Sequence, residues 1–159
     1  MEGNRRATTS TENVLPVKPA TIGFSTTPTL NKLRWKDPAN QEYVRCGADL
    51  LLNGLIGDLE GEAQCPICGR RTQLVIANRK LDRLDPKGAI IHSVEMPTTS
   101  GRIWIECDAT YIFDRKSCHE KWKKSYTGQS GIIASLQDYH NRLSSIRPGG
   151  QSLQQGKLD

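Results

Sequence analysis

The aromatic residues of this chain are concentrated in one stretch, which limits it to a single hydrophobic core. Of its nine aromatic residues, seven lie between residues 43 and 143 of the 159. The segments on either side are rich in Thr, Ser, Pro, Gly and Gln, and they bury too little apolar surface to offset the entropy of ordering them. We therefore expect one domain over residues 31–144, between a flexible N-terminal tail (1–30) and a flexible C-terminal tail (145–159).

The net charge of +5 would suit an acidic partner such as nucleic acid only if the basic residues were clustered. They are scattered, with acidic residues interleaved, which is typical of a solvated surface, and no nucleic-acid partner is expected. No run reaches the roughly 18 to 20 continuous apolar residues that a membrane span requires. The first residues also lack the apolar region of a secretory signal. We expect a cytoplasmic protein with no membrane partner.

The chain has an odd number of cysteines. They are Cys46, Cys65, Cys68, Cys107 and Cys118. An odd number without a secretory signal argues against a disulfide scaffold and favours reduced thiols that bind a metal or react.

The spacing of apolar residues predicts an α+β domain, a small and mostly antiparallel sheet covered by helices. A helix is predicted over residues 41–56, because Val44, Ala48, Leu51 and Leu55 recur along one face. Strands are predicted at 72–77, 89–94 and 102–107, with a continuation at 111–113. Helices are predicted at 114–124 and 137–143, and residues 131–136 fit either a strand or the start of the last helix.

Within the first predicted helix, Cys46 and Asp49 are three residues apart and so share a face. That face lies opposite the main apolar stripe but carries apolar neighbours of its own. Partial burial would raise the pKa of the Asp49 carboxyl and make it a proton donor near neutral pH. On helix geometry alone, an inert core cysteine beside a surface aspartate is the commoner arrangement.

The segment Cys65-Pro66-Ile67-Cys68-Gly69 has the composition of a zinc knuckle, in which one tight turn supplies two thiolates. A structural zinc site needs four ligands, and no second Cys-x-x-Cys is present. The other candidate ligands are Cys46, His92, Cys107, Cys118, His119 and His140. Buried or incidental thiols are therefore favoured over structural zinc, and a zinc-ribbon nucleic-acid adaptor is a further alternative.

The stretch from residue 43 to residue 143 resembles the organomercurial (alkylmercury) lyases in the order and spacing of its motifs. The matching features are Cys46-Gly47-Ala48-Asp49 with the apolar run after it, Cys65 before the strand at Thr72, the turn and strand from Pro86 to Val94, Cys107 ahead of Ile112-Phe113, the helix with Trp122, and Gly128-Gln129-Ser130-Gly131. No single motif is specific, but the combination is.

The resemblance implies an alkylmercury-lyase-like fold in which Cys46 and Cys107 are the mercury-binding thiols and Asp49 handles the proton. It also implies a structural role for Cys65. Two features depart from the family pattern. The short N-terminal stretch does not match the winged-helix-like segment of bacterial members, and neither Cys68 nor Cys118 has a counterpart. An auxiliary metal bound by Cys65 and Cys68 therefore remains an open alternative.

These residue types suit cleavage of a carbon–mercury bond. Mercury is a soft cation that prefers thiolates, and two thiolates weaken the bond by making the carbon more carbanion-like. A carboxyl beside them can take a proton from a thiol and deliver it to that carbon. The hypothesis is therefore an organomercurial lyase that converts alkyl or aryl mercury compounds, such as methylmercury, to a hydrocarbon and Hg(II). Cys46, Cys107 and Asp49 would hold the Hg(II).

The resemblance also implies that exogenous thiols release the product, with transfer of Hg(II) to a mercuric reductase or to cellular thiols. No organic cofactor is required, and no nucleotide-binding motif is present. The alternative hypothesis is a non-catalytic protein on the same fold, whose thiols bind mercury, copper or zinc without breaking a bond.

Overall fold

A computed structural model describes residues 20–37, 39–97, 103–146 and 153–155 of the chain. Within them the strands are β1 (Phe24–Ser25), β2 (Asn31–Trp35), β3 (Asn40–Val44), β4 (Leu59–Gln64), β5 (Arg71–Ala77), β6 (Lys80–Asp85), β7 (Ile90–Ser93), β8 (Glu95–Pro97), β9 (Ile103–Ile105), β10 (Tyr111–Phe113), β11 (Ile132–Ser135) and β12 (Leu153–Gln155). The helices are α1 (Gly47–Asn53), α2 (Lys116–Ser125) and α3 (Leu136–Ile146), with a short 3-10 helix at Cys107–Ala109.

The strands form a six-stranded sheet in the order β1-β3-β2-β4-β5-β6 and two three-stranded sheets, β10-β7-β11 and β12-β9-β8. Neighbouring strands pair antiparallel, except that β12 runs parallel to β9. The predicted α+β class with a mostly antiparallel sheet is confirmed. The sheet is larger than expected, because the N-terminal strands extend it.

Helix α1 is the centre of the core. It packs against β2, β3 and β4 of the six-stranded sheet on one side and against β7, β10 and α3 on the other. All seven of its residues are buried, as expected for a helix that meets protein on every side. The prediction of one apolar face with a separate, partly exposed Cys/Asp face was therefore wrong, and Asp49 is more deeply buried than the sequence indicated.

The helix predicted over residues 41–56 is wrong in its first third. Residues 40 to 44 form β3, Cys46 is the extended residue that caps the helix, and α1 covers Gly47–Asn53. The spacing of Val44, Ala48 and Leu51 imitates a helical stripe, because the end of β3 and the inner side of α1 contribute to the same core.

Described elements extend beyond both ends of the predicted domain of residues 31–144. Strand β1 pairs with β3, with Phe24 opposite Val44, so the boundary at residue 30 follows the first strand rather than preceding it. At the other end, α3 continues to Ile146 and β12 pairs with β9. The remaining parts of the two predicted tails (1–19, 147–152 and 156–159) lie outside the described residues.

The other predicted elements agree closely with the structure. Strands occur at 71–77, 90–93 and 111–113, a helix follows at 116–125, and residues 132–135 form a strand that leads directly into α3. The strand predicted over 102–107 ends at Ile105, and Cys107 begins the 3-10 helix instead. Among the described residues, no helix is long and apolar enough to cross a membrane.

Candidate active site and a second thiol cluster

Cys46 occupies the junction between β3 and α1, where an extended backbone turns into the helix. Its neighbour Gly47 lies against β10, and a Cβ at that position would come within 2.5 Å of the Ile112 side chain. Only glycine therefore allows the start of α1 to approach β10 this closely. This approach brings Cys46 towards the segment that precedes β10.

Cys107 lies on that segment, which backbone and side-chain hydrogen bonds hold in place. The Glu106 N–H donates to the Val94 carbonyl at 2.9 Å, and the Thr110 hydroxyl donates to the Glu106 carbonyl at 2.8 Å. The Ala109 carbonyl lies 2.8 Å from Nδ1 of His92. Cys107 is thus presented from a short, anchored 3-10 turn and not from a strand.

The structure brings the three predicted site residues together. The sulfurs of Cys46 and Cys107 are 2.7 Å apart. Oδ2 of Asp49 lies 3.7 Å from the Cys46 sulfur and 3.8 Å from the Cys107 sulfur. A single carboxylate oxygen therefore faces both thiols, and the three ligand atoms lie within 4.8 Å of one another.

Asp49 is fully buried. Its Oδ2 accepts the backbone N–H of Cys46 at 3.2 Å, whereas Oδ1 has no hydrogen-bond partner among the described residues. Burial raises the pKa of Asp49 to about 7, although the Cys46 N–H and the Arg45 charge act in the opposite direction. The carboxyl is therefore present in both protonated and ionised forms near neutral pH, as a group that first accepts and then donates a proton requires.

Burial also raises the pKa of the Cys46 thiol well above its ordinary value, and the hydrogen bond with Cys107 and the Asp49 charge add to the effect. Cys46 consequently keeps its proton at neutral pH until a metal and a base remove it. Cys107 is partly exposed, whereas Cys46 and Asp49 are buried. The triad therefore has one thiol nearer to solvent and a buried thiol–carboxyl pair behind it.

Gly23 covers the Asp49 carboxyl, a contact that no sequence pattern indicated. A Cβ on Gly23 would clash with both oxygens of the Asp49 carboxyl, and Gly23 has a φ of +70°, which favours glycine. The Gly23 carbonyl accepts the Arg45 N–H at 2.9 Å. Asn53 holds the same segment, because its side chain bonds the N–H and the carbonyl of Ile22 at 2.8 and 2.9 Å.

The auxiliary cysteines Cys65 and Cys68 form a second cluster with Asp114 and Cys118, whose ligand atoms all lie within 4.8 Å of one another. The Cys68 thiol donates to Oδ1 of Asp114 at 3.1 Å. Of the other ligands considered from the sequence, only Cys118 joins this cluster, and Asp114 was not foreseen.

Three pKa shifts describe this second cluster. Burial raises the pKa of Cys118 to about 12, and hydrogen bonds with Cys68 and Cys65 contribute. Burial alone would also raise the pKa of Asp114, but hydrogen bonds from Cys68 and Arg115 outweigh it and hold that pKa below its usual value. The cluster thus places an ionised Asp114 carboxylate beside the protonated thiols of Cys68 and Cys118, whose pKa values are both raised.

A cavity of about 690 Å³ lies over the outer face of the six-stranded sheet. Its walls carry charges of both signs, including Lys32, Arg34, Glu60, Glu62 and Arg83. None of the triad residues lines it. Because the thiols and the buried carboxyl lie elsewhere, the size of this cavity does not identify the site of the chemistry.

No protein-family model matches the sequence, and no curated protein matches it. Among solved structures, the chain is similar to a crystal structure of the mercury-bound form of MerB2, with 22% sequence identity and a TM-score of 0.59. The match covers 87% of this chain and 72% of that one. The alkylmercury-lyase-like fold expected from the sequence is therefore confirmed: this chain has the fold of MerB2.

Proposed function

We propose that this protein is an organomercurial lyase that cleaves the carbon–mercury bond of compounds such as methylmercury by protonolysis. The observation that carries the proposal is the convergence of two thiols on one carboxylate oxygen. Oδ2 of Asp49 lies 3.7 and 3.8 Å from the sulfurs of Cys46 and Cys107. The pKa of that carboxyl, about 7, suits a group that transfers a proton near neutral pH.

Capture of the substrate begins at Cys107, because it is the thiol nearer to solvent. A thiol that binds mercury must lose its proton. Asp49 in its ionised form is the base within reach, and it takes the proton as the sulfur–mercury bond forms. The second sulfur, Cys46, then adds to the same mercury atom and loses its own proton to solvent through the same carboxyl.

Cleavage follows when Asp49 is protonated and both sulfurs are bound. Electron donation from two thiolates makes the carbon attached to mercury more carbanion-like. The proton on Asp49 moves to that carbon, and the electron pair of the carbon–mercury bond forms the new carbon–hydrogen bond. Of the two thiol protons, one ends in the hydrocarbon and one in solvent, and Hg(II) stays on Cys46 and Cys107. No oxidant or organic cofactor is needed.

The Hg(II) product requires an acceptor, because two protein thiolates hold a soft cation tightly. Exogenous thiols supply that acceptor by exchanging onto the metal, and a mercuric reductase or cellular thiols take it further. We also propose a cytoplasmic location, because the reaction requires Cys46 and Cys107 as reduced thiols and the cytosol keeps thiols reduced.

The decisive experiment incubates the full chain with methylmercury and an excess of a small thiol, and measures methane and Hg(II) over time. The wild-type protein should release the two products in equal amounts. Cys46→Ser should produce methane only at the background rate, and Asp82→Asn, at an exposed residue outside both thiol clusters, should match the wild type. Equal methane from the wild type and Cys46→Ser would overturn the proposal.

Asp49→Asn separates a lyase from a protein that only binds mercury. The amide keeps an oxygen for the Cys46 N–H but carries no transferable proton, so methane release should fall by at least about 10²-fold. Binding of Hg(II), followed by competition with a chromophoric chelator, should stay within about tenfold of the wild type because both thiols remain. A variant with full turnover would contradict the role of Asp49 as the proton donor.

A further inference from the structure

The second thiol cluster has no role in the proposed reaction. Cys65 and Cys68 come from the turn between β4 and β5, whereas Asp114 and Cys118 come from the junction between β10 and α2. The four residues offer three sulfurs and one carboxylate oxygen, all within 4.8 Å of one another. Such a set of donors suits a metal ion and is hard to explain as ordinary packing.

The β4–β5 turn itself positions the first pair of donors, the sulfurs of Cys65 and Cys68. The Cys65 N–H donates to the Arg70 carbonyl at 2.8 Å, and the Gly69 N–H donates to the Cys65 carbonyl at 3.0 Å. Gly69 has a φ of +78°, which closes the turn in a conformation that glycine adopts readily. This turn sets the Cys65 and Cys68 sulfurs on the same side without help from a metal.

The second pair is shaped by the start of α2. Asp114 immediately precedes Arg115, the N-cap residue of α2, and Cys118 lies in the first turn of the helix. The Cys118 N–H donates to the Arg115 carbonyl at 3.2 Å. Arg115 also binds Oδ2 of Asp114 at 3.2 Å, which leaves Oδ1 directed at Cys68. A carboxylate held through its outer oxygen is typical of a metal ligand oriented by a neighbouring group.

The distances fit a tetrahedral ion. With metal–sulfur bonds of about 2.3 Å, the corners of a tetrahedron lie roughly 3.8 Å apart, which is inside the 4.8 Å limit within which the four donors fall. Four protein donors leave no position for water or substrate, as in structural zinc sites. Cys65, Asp114 and Cys118 are buried, and Cys68 is exposed, so an ion has a route of entry on one side.

The carboxylate distinguishes between soft and borderline metals. Copper(I) and mercury(II) favour thiolates alone, whereas Zn²⁺ accepts sulfur and oxygen donors in one tetrahedral shell. We propose that Cys65, Cys68, Asp114 and Cys118 bind one structural Zn²⁺ ion, separate from the mercury site. The ion fastens the β4–β5 turn to the C-terminal end of β10. It therefore supports this strand, whose N-terminal end follows the segment that carries Cys107.

The test begins with the zinc content of the full chain, purified without a polyhistidine tag and measured by plasma mass spectrometry. One zinc per chain is expected for the wild type, as in other structural sites. X-ray absorption should find about three sulfurs and one oxygen around the metal, with zinc–sulfur distances near 2.3 Å. Protein without zinc after purification in zinc-containing buffer would overturn the proposal.

Variants locate the ion. Cys68→Ser changes an exposed side chain and is expected to fold, and it should lower the zinc content at least about tenfold. Asp114→Asn should lower it as well. The matched controls Cys46→Ser and Cys107→Ser should keep one zinc per chain. Zinc lost from Cys46→Ser but kept in Cys68→Ser would place the metal in the triad and contradict the proposal.

Cobalt(II) provides a second readout that does not depend on how well a variant expresses. Chelator-treated protein titrated with Co²⁺ should develop thiolate-to-cobalt absorption in the near ultraviolet that saturates at one equivalent, in the wild type and in Cys46→Ser. Cys68→Ser should show much weaker absorption. Saturation that requires Cys107 rather than Cys68 would overturn the assignment, even where the lyase proposal stands.

Discussion

Asp49 is held in an environment that disfavours its charge. The residue is fully buried and its Oδ1 has no hydrogen-bond partner among the described residues. An ionised carboxylate in such surroundings is costly unless it is paired. The fold compensates in part through the Cys46 N–H, which donates to Oδ2 at 3.2 Å. The remaining cost is what brings the pKa of this carboxyl near neutrality.

This cost predicts an unusual dependence of stability on pH. The pKa of Asp49 is about 7 in the folded protein and about 3.9 in an unfolded chain. Between these values the folded state binds more protons, so the free energy of unfolding falls as pH rises. A pKa difference of roughly 3 corresponds to about 4 kcal/mol in the free energy of unfolding. The protein loses this stability as the pH rises from about 4 to about 8. Urea unfolding at several pH values measures the loss.

Asp49→Asn should remove most of this dependence, because the amide does not titrate. The loss of stability between pH 4.5 and 8 should then be smaller by roughly 2 to 4 kcal/mol than in the wild type. Asp82→Asn, at an exposed aspartate, is the matched control and should leave the profile unchanged. Parallel profiles for the wild type and Asp49→Asn would contradict the raised pKa.

At the scale of elements, the site depends on how closely the N-terminal segment approaches α1. Gly23 lies directly over the Asp49 carboxyl, and Asn53 binds the backbone of Ile22 in both directions. Asn53 also donates to the Asp49 carbonyl at 2.8 Å. One buried side chain therefore couples the segment before β1 to the helical turn that carries the carboxyl.

Gly23→Ala should disturb both stability and chemistry. The positive φ alone costs about 1 to 3 kcal/mol for a non-glycine residue, and the added methyl displaces the Asp49 carboxyl. A displacement of about 1 Å at a reacting group can lower a rate roughly 10²-fold, so methane release should fall by about that factor. Urea unfolding and the methane assay measure the two effects.

The matched control is Gly88→Ala. A Cβ at Gly88 meets nothing within 4 Å, so this variant should stay within about 0.5 kcal/mol of the wild type and keep its turnover. If Gly23→Ala behaved in the same way, Gly23 would not position the carboxyl.

Sequence patterns correctly predicted the helices and strands that local periodicity determines. They misplaced the boundary of a helix where segments distant in sequence share one core. Strand β5 has alternating burial and α2 has a regular helical pattern, and both were found within one or two residues. The α1 boundary was missed, because Val44 and Ala48 contribute to one core from two different elements and Cys46 is an uncommon helix-capping residue. Periodicity carries no information about such a junction.

The same limit applies to the site. The Cys46–Asp49 pair was predictable because the two residues are only three positions apart along the chain. Cys107 was identified by the resemblance, and its packing against Cys46 crosses 61 residues of sequence. Nothing local to Gly23 or Asp114 indicates that one covers a carboxyl or that the other completes a thiol cluster. Those contacts depend on the tertiary arrangement of β1, β4 and β10.

For the whole molecule, the two thiol clusters hold the two ends of one strand. The triad joins the β3–α1 junction to Cys107, four residues before the first residue of β10. The second cluster joins the β4–β5 turn to Asp114, directly after β10 ends. Each cluster thus links the six-stranded sheet to the three-stranded sheet that contains β10. A metal in either position is a cross-link between segments that are far apart in sequence.

This arrangement predicts that Hg(II) bound by Cys46 and Cys107 stabilises the whole domain. A large excess of a small thiol would outcompete single cysteines of the unfolded chain, so only the paired site of the folded state would retain the ion. A ligand at 1,000 times its dissociation constant adds about 4.1 kcal/mol, which corresponds to a rise in Tm on the order of 10 °C for a domain of this size. Scanning calorimetry in thiol-buffered Hg(II) measures the shift in Tm.

Cys68→Ser should retain the rise in Tm, whereas Cys46→Ser should lose it. A rise that survives in Cys46→Ser would assign the stabilising ion to the second cluster instead of the triad.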